Sequence, residues 1–144
     1  MSEGPSGEKR PQMTLPARDE AIPELVEFVC LHAREMLFEE RRITEIRLAL
    51  EEALANIVRF ACPHGSEEIG ITCAAHDSGA LLLDIVDSGV PFNMLAASTF
   101  PETTDFADPD RIPSTKRMKK GIKNIEYRRD GGNRKNIMAW VISP

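Results

Sequence analysis

The sequence predicts an α+β fold, a two-layer sandwich with helices packed on one face of a mixed, mostly antiparallel sheet. Three observations lead there. Two stretches, 22–38 and 44–61, repeat apolar residues at helical spacing, and two pairs of short apolar runs are each divided by turn residues. Their order is helix, helix, hairpin, long loop, hairpin. With 144 residues, 42% of them apolar, the chain supports one core and is too short for two.

Residues 1–12 are rich in Gly, Pro and charge, with little to bury, and are expected to be a disordered tail ahead of a domain spanning 13–144. Met13 and Leu15 alternate with polar neighbours, so Gln12 to Pro16 reads as a short edge strand that Pro16 terminates. Ile22, Leu25, Val26, Val29, Ala33 and Leu37 form one face of a first helix, and Pro23 is tolerated in its first turn. Ile46, Leu50, Ala53, Ile57 and Phe60 form the apolar face of a second, with Thr44 available as N-cap and Pro63 and Gly65 ending it.

Ile69 to Ala75 and Leu81 to Val86, separated by His76-Asp77-Ser78-Gly79-Ala80, read as a β-hairpin. A long loop follows, about 93–115, with a short helix at Met94 to Ala97; a loop of that length in a compact domain is usually functional. Beyond the basic stretch Lys116 to Lys123, the runs Ile125 to Arg129 and Asn136 to Ile142 flank Asp130-Gly131-Gly132-Asn133 and predict a closing hairpin.

The net charge of −5 hides a strong asymmetry: residues 1–110 carry 8 basic and 21 acidic side chains, and residues 111–144 carry 10 and 2. The basic end either meets an anionic partner or complements the acidic body within one fold. Tyr127 alone in 111–135 could stack on a base, so nucleic acid is not the expected partner. No apolar run reaches the roughly 20 residues of a membrane span and the N-terminus carries no apolar leader, which predicts a cytoplasmic protein without a membrane partner. Cys30, Cys62 and Cys73 lie in apolar surroundings without metal-site spacing and read as buried free thiols. His32, His64 and His76 are scattered and read as surface or turn residues.

Two segments carry candidate chemistry. Glu52 and Asn56 lie one turn apart on the same face of the second helix, Arg59 continues that face, and the apolar stripe is rotated away. A carboxylate beside an amide oxygen suits Mg²⁺, which takes one or two protein oxygens and keeps phosphates and water for its other positions. The same carboxylate can accept a proton from a hydroxyl. Asp87-Ser88-Gly89-Val90-Pro91-Phe92 emerges from the end of an apolar strand; Asp87 can accept a hydrogen bond from an exocyclic amine such as that of adenine, and Gly89 would let a planar ring come close. Standing alone, the helical pair is an ordinary solvated face, and the D-x-G-x-P is a turn.

Together, in the order E-A-L-A-N, hairpin, D-S-G-V-P-F, they resemble the GHKL ATPases of the Bergerat fold, and among them the small anti-sigma-factor serine/threonine kinases. The similarity runs over roughly 13–142 and includes I-R-L-A-L-E-E-A-L-A-N-I-V-R-F-A and the late E-Y-R-R-D-G-G-N. The resemblance implies ATP and Mg²⁺ as cofactors, Glu52 as general base, Asn56 as Mg²⁺ ligand, Asp87 as the adenine-reading carboxylate and Gly89 beneath the ring. It also implies a sigma factor and an anti-anti-sigma protein of the STAS type as partners, the latter phosphorylated on serine, and frequent homodimers.

Three departures qualify this. The family's second glycine box, G-x-G before a helix, is missing; with the helix aligned backward from Ile125-Glu126-Tyr127, Ile112, Pro113 and Ser114 occupy its positions. Pro113 removes a backbone donor there, and Arg111, Lys116 or Lys120 could compensate as cations. Phe60 stands where the family often has His, and Ala139 where it has a Thr near adenine in the last strand. The alternative function is therefore a catalytically degenerate binding module that keeps the fold and sequesters a regulator without phosphoryl transfer.

Overall fold

The computed structural model describes residues 10–99 and 113–144. Residues 1–9 of the expected tail 1–12 and the centre of the long loop (100–112, including Arg111 and Ile112) lie outside the described residues, whereas the end of that tail is placed, with Pro11 O accepting from Cys73 N at 2.9 Å and Gln12 opening the first strand. Five strands, β1 (Gln12–Pro16), β2 (Glu68–Ala75), β3 (Leu81–Asp87), β4 (Asn124–Asp130) and β5 (Lys135–Ile142), form one sheet in the order β1-β2-β3-β5-β4. All four pairings are antiparallel, so the parallel component expected in a mixed sheet is not there. Three α-helices, α1 (Ile22–Glu35), α2 (Glu40–Asn56) and α3 (Lys116–Gly121), complete the α+β sandwich.

Strand period fixes which side chains meet the helices. Ile69, Ile71 and Cys73 of β2, Leu81, Leu83 and Ile85 of β3, and Met138, Trp140 and Ile142 of β5 are all buried. They close on Leu25, Val26, Val29, Cys30 and Ala33 of α1 and Ile43, Ile46, Ala49, Leu50, Ala53 and Leu54 of α2. The intervening strand residues form the opposite, more open face. The three cysteines are buried and unpaired, and burial pushes the thiols of Cys62 and Cys73 up to about 12, which leaves them unreactive.

Helix limits depart from the apolar pattern at both ends. α2 begins at Glu40, with Glu39 in extended geometry at the N-cap, and Thr44 lies inside the helix with its hydroxyl donating to Glu40 O at 3.0 Å. The expected Thr44 cap is thus replaced, because the charged residues 40–42 extend the helix before the apolar face begins. At the other end the helix continues as a π turn, Ile57–Ala61, closed by Cys62 N donating to Ile57 O at 2.9 Å. Among the described residues no helix is long and apolar enough to cross a membrane.

α1 stops two residues before the apolar pattern does. Phe38 N donates to Ala33 O and Leu37 N to Arg34 O, the paired bonds of a Schellman terminus, and Leu37 takes the left-handed position at φ 68°. Glycine normally fills that position, and Leu37 is 88% exposed, so its side chain adds almost no packing to offset the strain. Leu37→Gly is expected to raise stability by about 0.5–1 kcal/mol, read as a higher urea midpoint at unchanged slope. A lower midpoint would show that the leucine contributes packing that its exposure does not reveal.

Candidate functional site

The register between β3 and β5 builds one end of the site. Asp87 and Asn136 are cross-strand partners, both on the helix-facing side and both buried, at 3% and 4% exposure. Asn136 Nδ2 donates to Asp87 Oδ1 and to Val90 O, each at 2.8 Å, while its Oδ1 accepts from Tyr127 OH at 2.7 Å and Phe92 N at 3.2 Å. Two donors and two acceptor sites are the whole capacity of an amide, and all are used. Asp87 Oδ1 also accepts from Gly89 N at 2.9 Å and lies 3.9 Å from Cys62 Sγ. These partners all engage Oδ1, and no donor among the described residues reaches Oδ2.

Gly89 is required by packing of a different kind from that expected. A Cβ at this position would lie 2.1 Å from Ala61 O and 2.6 Å from Ala61 C, so the close neighbour is the end of the π turn and not a ring-sized space. Val90 N donates to that same Ala61 carbonyl at 2.9 Å, and Arg129 Nη1 donates to Gly89 O at 3.0 Å. The glycine thus clamps the strand end to the end of the second helical segment. Phe60, in the position where His was considered, stacks on Phe92 with centroids 5.5 Å apart.

Beside Asp87 lies a small cavity lined by Ile57, Ile85, Phe92, Met94, Tyr127, Asn136 and Met138. Its volume of about 10 Å³ is room for one water, whereas small-molecule sites start at roughly 300 Å³. Asp87 Oδ2 is an acceptor suited to an amine donor, but the cavity that Phe92 and Met94 help to line is too small for a purine. Ala139 belongs to the opposite parity of β5 and sits on the other face of the sheet, whereas Met138 lines the cavity.

The second end is carried by α2. Asn56 is buried at 7% exposure, with Nδ2 donating to Ser114 O at 2.8 Å and contacting Met94 Sδ at 3.7 Å. With its nitrogen engaged, the amide oxygen is the atom a cation would meet. Glu52 accepts from Ser114 Oγ at 2.9 Å through Oε2 and from Met118 N at 2.9 Å through Oε1. Met118 lies in the first turn of α3, where backbone N–H groups lack helical partners, so this carboxylate caps the short helix from outside it. Met94 joins the two ends, since it both contacts Asn56 and lines the Asp87 cavity.

The remaining expected residues fall at different distances from this centre. Arg59 borders an open groove of about 330 Å³ together with Asp19, Ala55, Asn56 and Val58, so it does stand beside Asn56. Lys116 opens α3, two residues after Ser114, and is exposed. Lys120 lines a separate groove with Glu45, Leu48, Arg117 and Gly121, one to two helical turns along α2 from Glu52 and not among the residues lining the Asp87 cavity. α3 begins directly after Ser114-Thr115, the arrangement in which Pro113 and Ser114 take the glycine-box positions, and Pro113 is buried.

Asn136 and Met94 were not singled out by sequence, Tyr127 was considered only as a stacking aromatic, and Ser114 only as an occupant of the glycine-box position. Asn136 left a signal, because it is the polar member of the inward series Asn136, Met138, Trp140, Ile142. Ser114 was marked only by its glycine-box position, and Met94 left no signal, since no local pattern encodes its contact with Asn56.

An antiparallel sheet carrying a strand-end Asp, faced by a helix carrying Glu and Asn one turn apart, is the plan of the GHKL class of ATPase domains. The family model of the histidine kinase-like ATPase domain matches residues 15–134, and the chain belongs to that family. No curated protein matches the chain. Among solved structures, the crystal structure of the RsbU and RsbW domains of Rv1364c from Mycobacterium tuberculosis is similar, with a TM-score of 0.61 and 12% identity. The match covers 92% of this chain and 32% of that one, so this chain spans about a third of that protein's length, and the likeness is one of fold.

Burial governs the ionisation of Asp87. Desolvation raises its pKa above the ordinary 3.8, against the pull of Asn136, the Gly89 N–H and the Arg129 charge. A carboxyl with a raised folded-state pKa keeps its proton where the unfolded chain has released it. Stability therefore falls as pH rises from 3.8 to the raised value, and the ionised group costs stability above that window. Asp87→Asn keeps the Oδ1 acceptor and removes the charge. It is expected to melt above the parent at pH 7, with roughly 4 °C corresponding to 1 kcal/mol in a chain of this size, and the gap should shrink as pH falls through the window. A variant less stable at pH 7, with a gap independent of pH, would contradict this assignment.

Proposed function

We propose that this domain binds ATP with Mg²⁺ and acts as a serine/threonine protein kinase of the anti-sigma-factor type, with a sigma factor and a STAS-type anti-anti-sigma protein as partners. Family membership and the fold shared with an RsbW domain support the reading. The observation that carries it is the joining of the two ends: Asn56 contacts Met94, and Met94 lines the cavity of Asp87. A nucleotide reaching from Asp87 to Asn56 would have to displace that one side chain.

ATP would supply the phosphoryl group, and Mg²⁺, which the Asn56 oxygen would help to hold, would supply charge neutralisation. The rest is positioning by the chain's own groups. Asp87 Oδ2 offers an acceptor to the base amine, and the Asn136 amide holds the carboxylate so that this oxygen is presented. The Asn56 oxygen is directed by the bond its nitrogen makes to Ser114 O. Glu52 lies within hydrogen-bond reach of a serine hydroxyl, as a base must. Lys116, and Arg59 beside Asn56, are the cations we assign to the phosphates; Lys120, which lines the groove with Glu45 and Leu48, is given no part in this reading.

The second reading, a binding module without phosphoryl transfer, draws on Pro113 and Ser114 standing where glycine N–H groups would cradle phosphates, and on the filled cavity. Calorimetry with ATP and Mg²⁺, followed by incubation with a STAS-type partner, separates the two. The kinase reading expects ATP binding that weakens at least tenfold in Asp87→Asn, and phosphoserine on the partner that disappears in Glu52→Ala while ATP binding persists. ATP binding with no phosphoserine would leave the binding module; unchanged affinity in Asp87→Asn would remove the adenine contact.

A further inference from the structure

We propose that Ser114 is itself a phosphate acceptor, modified in cis by the domain's own site; this rests on the ATP and Mg²⁺ reading above. The Ser114 hydroxyl donates to Glu52 Oε2 at 2.9 Å, the same carboxylate assigned as the base for a partner's serine. Its backbone is fixed as well, since Asn56 Nδ2 holds the Ser114 carbonyl at 2.8 Å and the buried Pro113 precedes it. The side chain is exposed, so the hydroxyl is reachable from the solvent side while its proton faces the base.

Helix capping does not account for this placement. Helix α3 is capped by Glu52, which takes the Met118 N–H, and not by Ser114. A capping serine accepts from a helix N–H; Ser114 instead donates its proton to a carboxylate. The N-cap residue of α3 is Thr115, which makes no side-chain cap bond. The hydroxyl is thus presented to the carboxylate as a substrate hydroxyl would be.

In the step, Ser114 Oγ forms a bond to the γ-phosphorus of ATP and its proton passes to Glu52. The bond from that phosphorus to the β–γ bridging oxygen breaks, and ADP leaves with the electron pair. The product carries a charge of about −1.5 to −2 beside a carboxylate that had been within hydrogen-bond distance. Repulsion expels it, which frees both Glu52 and Asn56, and the exposed Lys116 and Arg117 that follow it in sequence can receive the phosphate. Modification thereby clears the site for a partner's serine.

The experiment incubates the purified full chain with ATP and Mg²⁺ over a range of protein concentrations and follows intact mass, site localisation by fragmentation, and amide exchange at Met118. ATP binding is measured separately by calorimetry. The expected result is one phosphate on Ser114, formed at a rate independent of dilution, absent in Ser114→Ala and Glu52→Gln, restored as phosphothreonine in Ser114→Thr, and accompanied by loss of protection at Met118. Thermal melts show that the variants are folded, and Glu52→Gln keeps an acceptor for the Met118 N–H. ATP binding without modification of Ser114 overturns this proposal and leaves the nucleotide reading standing; absence of ATP binding overturns both. Phosphate on Ser114 that persists in Glu52→Gln overturns the role of Glu52 and, with it, self-modification.

Discussion

The buried Asp87–Asn136 pair is the constraint on which the rest of this site depends. A carboxylate at 3% exposure is costly unless donors surround it, and here one amide supplies the central bond while spending its other three on Val90, Phe92 and Tyr127. Satisfying one buried group therefore fixes the path of the chain after β3, the position of a β4 tyrosine and the register of β5 against β3. A slip of one residue in that register would turn Asn136 to the other face of the sheet and leave Asp87 with only Gly89 N and Cys62 Sγ. The topology permits this because β5 lies between β3 and β4.

From this fixed corner the site extends through helix α2 and ends on Glu52 and Ser114. Gly89 presses the strand end against Ala61, which locks the π turn that follows Asn56. Asn56 then divides its amide nitrogen between Met94, which fills the space beside Asp87, and the carbonyl of Ser114. The two ends thus share one side chain. Opening the cavity at Met94 and releasing Ser114 both remove a partner from Asn56, so the two events are coupled by hydrogen-bond satisfaction rather than by distance.

Much of this was legible in residue patterns. The periods of Leu25, Val29 and Ala33 and of Ile46, Leu50 and Ala53 identified both long helices, and the two hairpins followed from their turn chemistry. Glu52, Asn56 and Asp87 could be chosen because a motif on a helix and a motif after a strand occurred in a known order. What stayed hidden depended on register or on loop path. Ala139 was assigned to the wrong face because motif position carries no parity, whereas Met138 at the neighbouring position points inward. Gly89 was expected to let a planar ring come close, and its close neighbour here, the Ala61 carbonyl, belongs to a segment 28 residues earlier whose π geometry gives no sequence signal. Lys120 looked close to the phosphates by number and is carried to another groove by the short α3 helix.

The central claim is that one nucleotide site spans Asp87 and Asn56 and that Met94 currently fills the space between them. Hydrogen exchange with and without ATP and Mg²⁺ tests it directly. The account predicts slowed exchange at both ends, in peptides covering 52–61 and in those covering 85–95, as the nucleotide takes the place of Met94. Protection confined to the lysine-rich segment 116–123, with both ends unchanged, would mean that ATP meets only surface charge and would contradict the account.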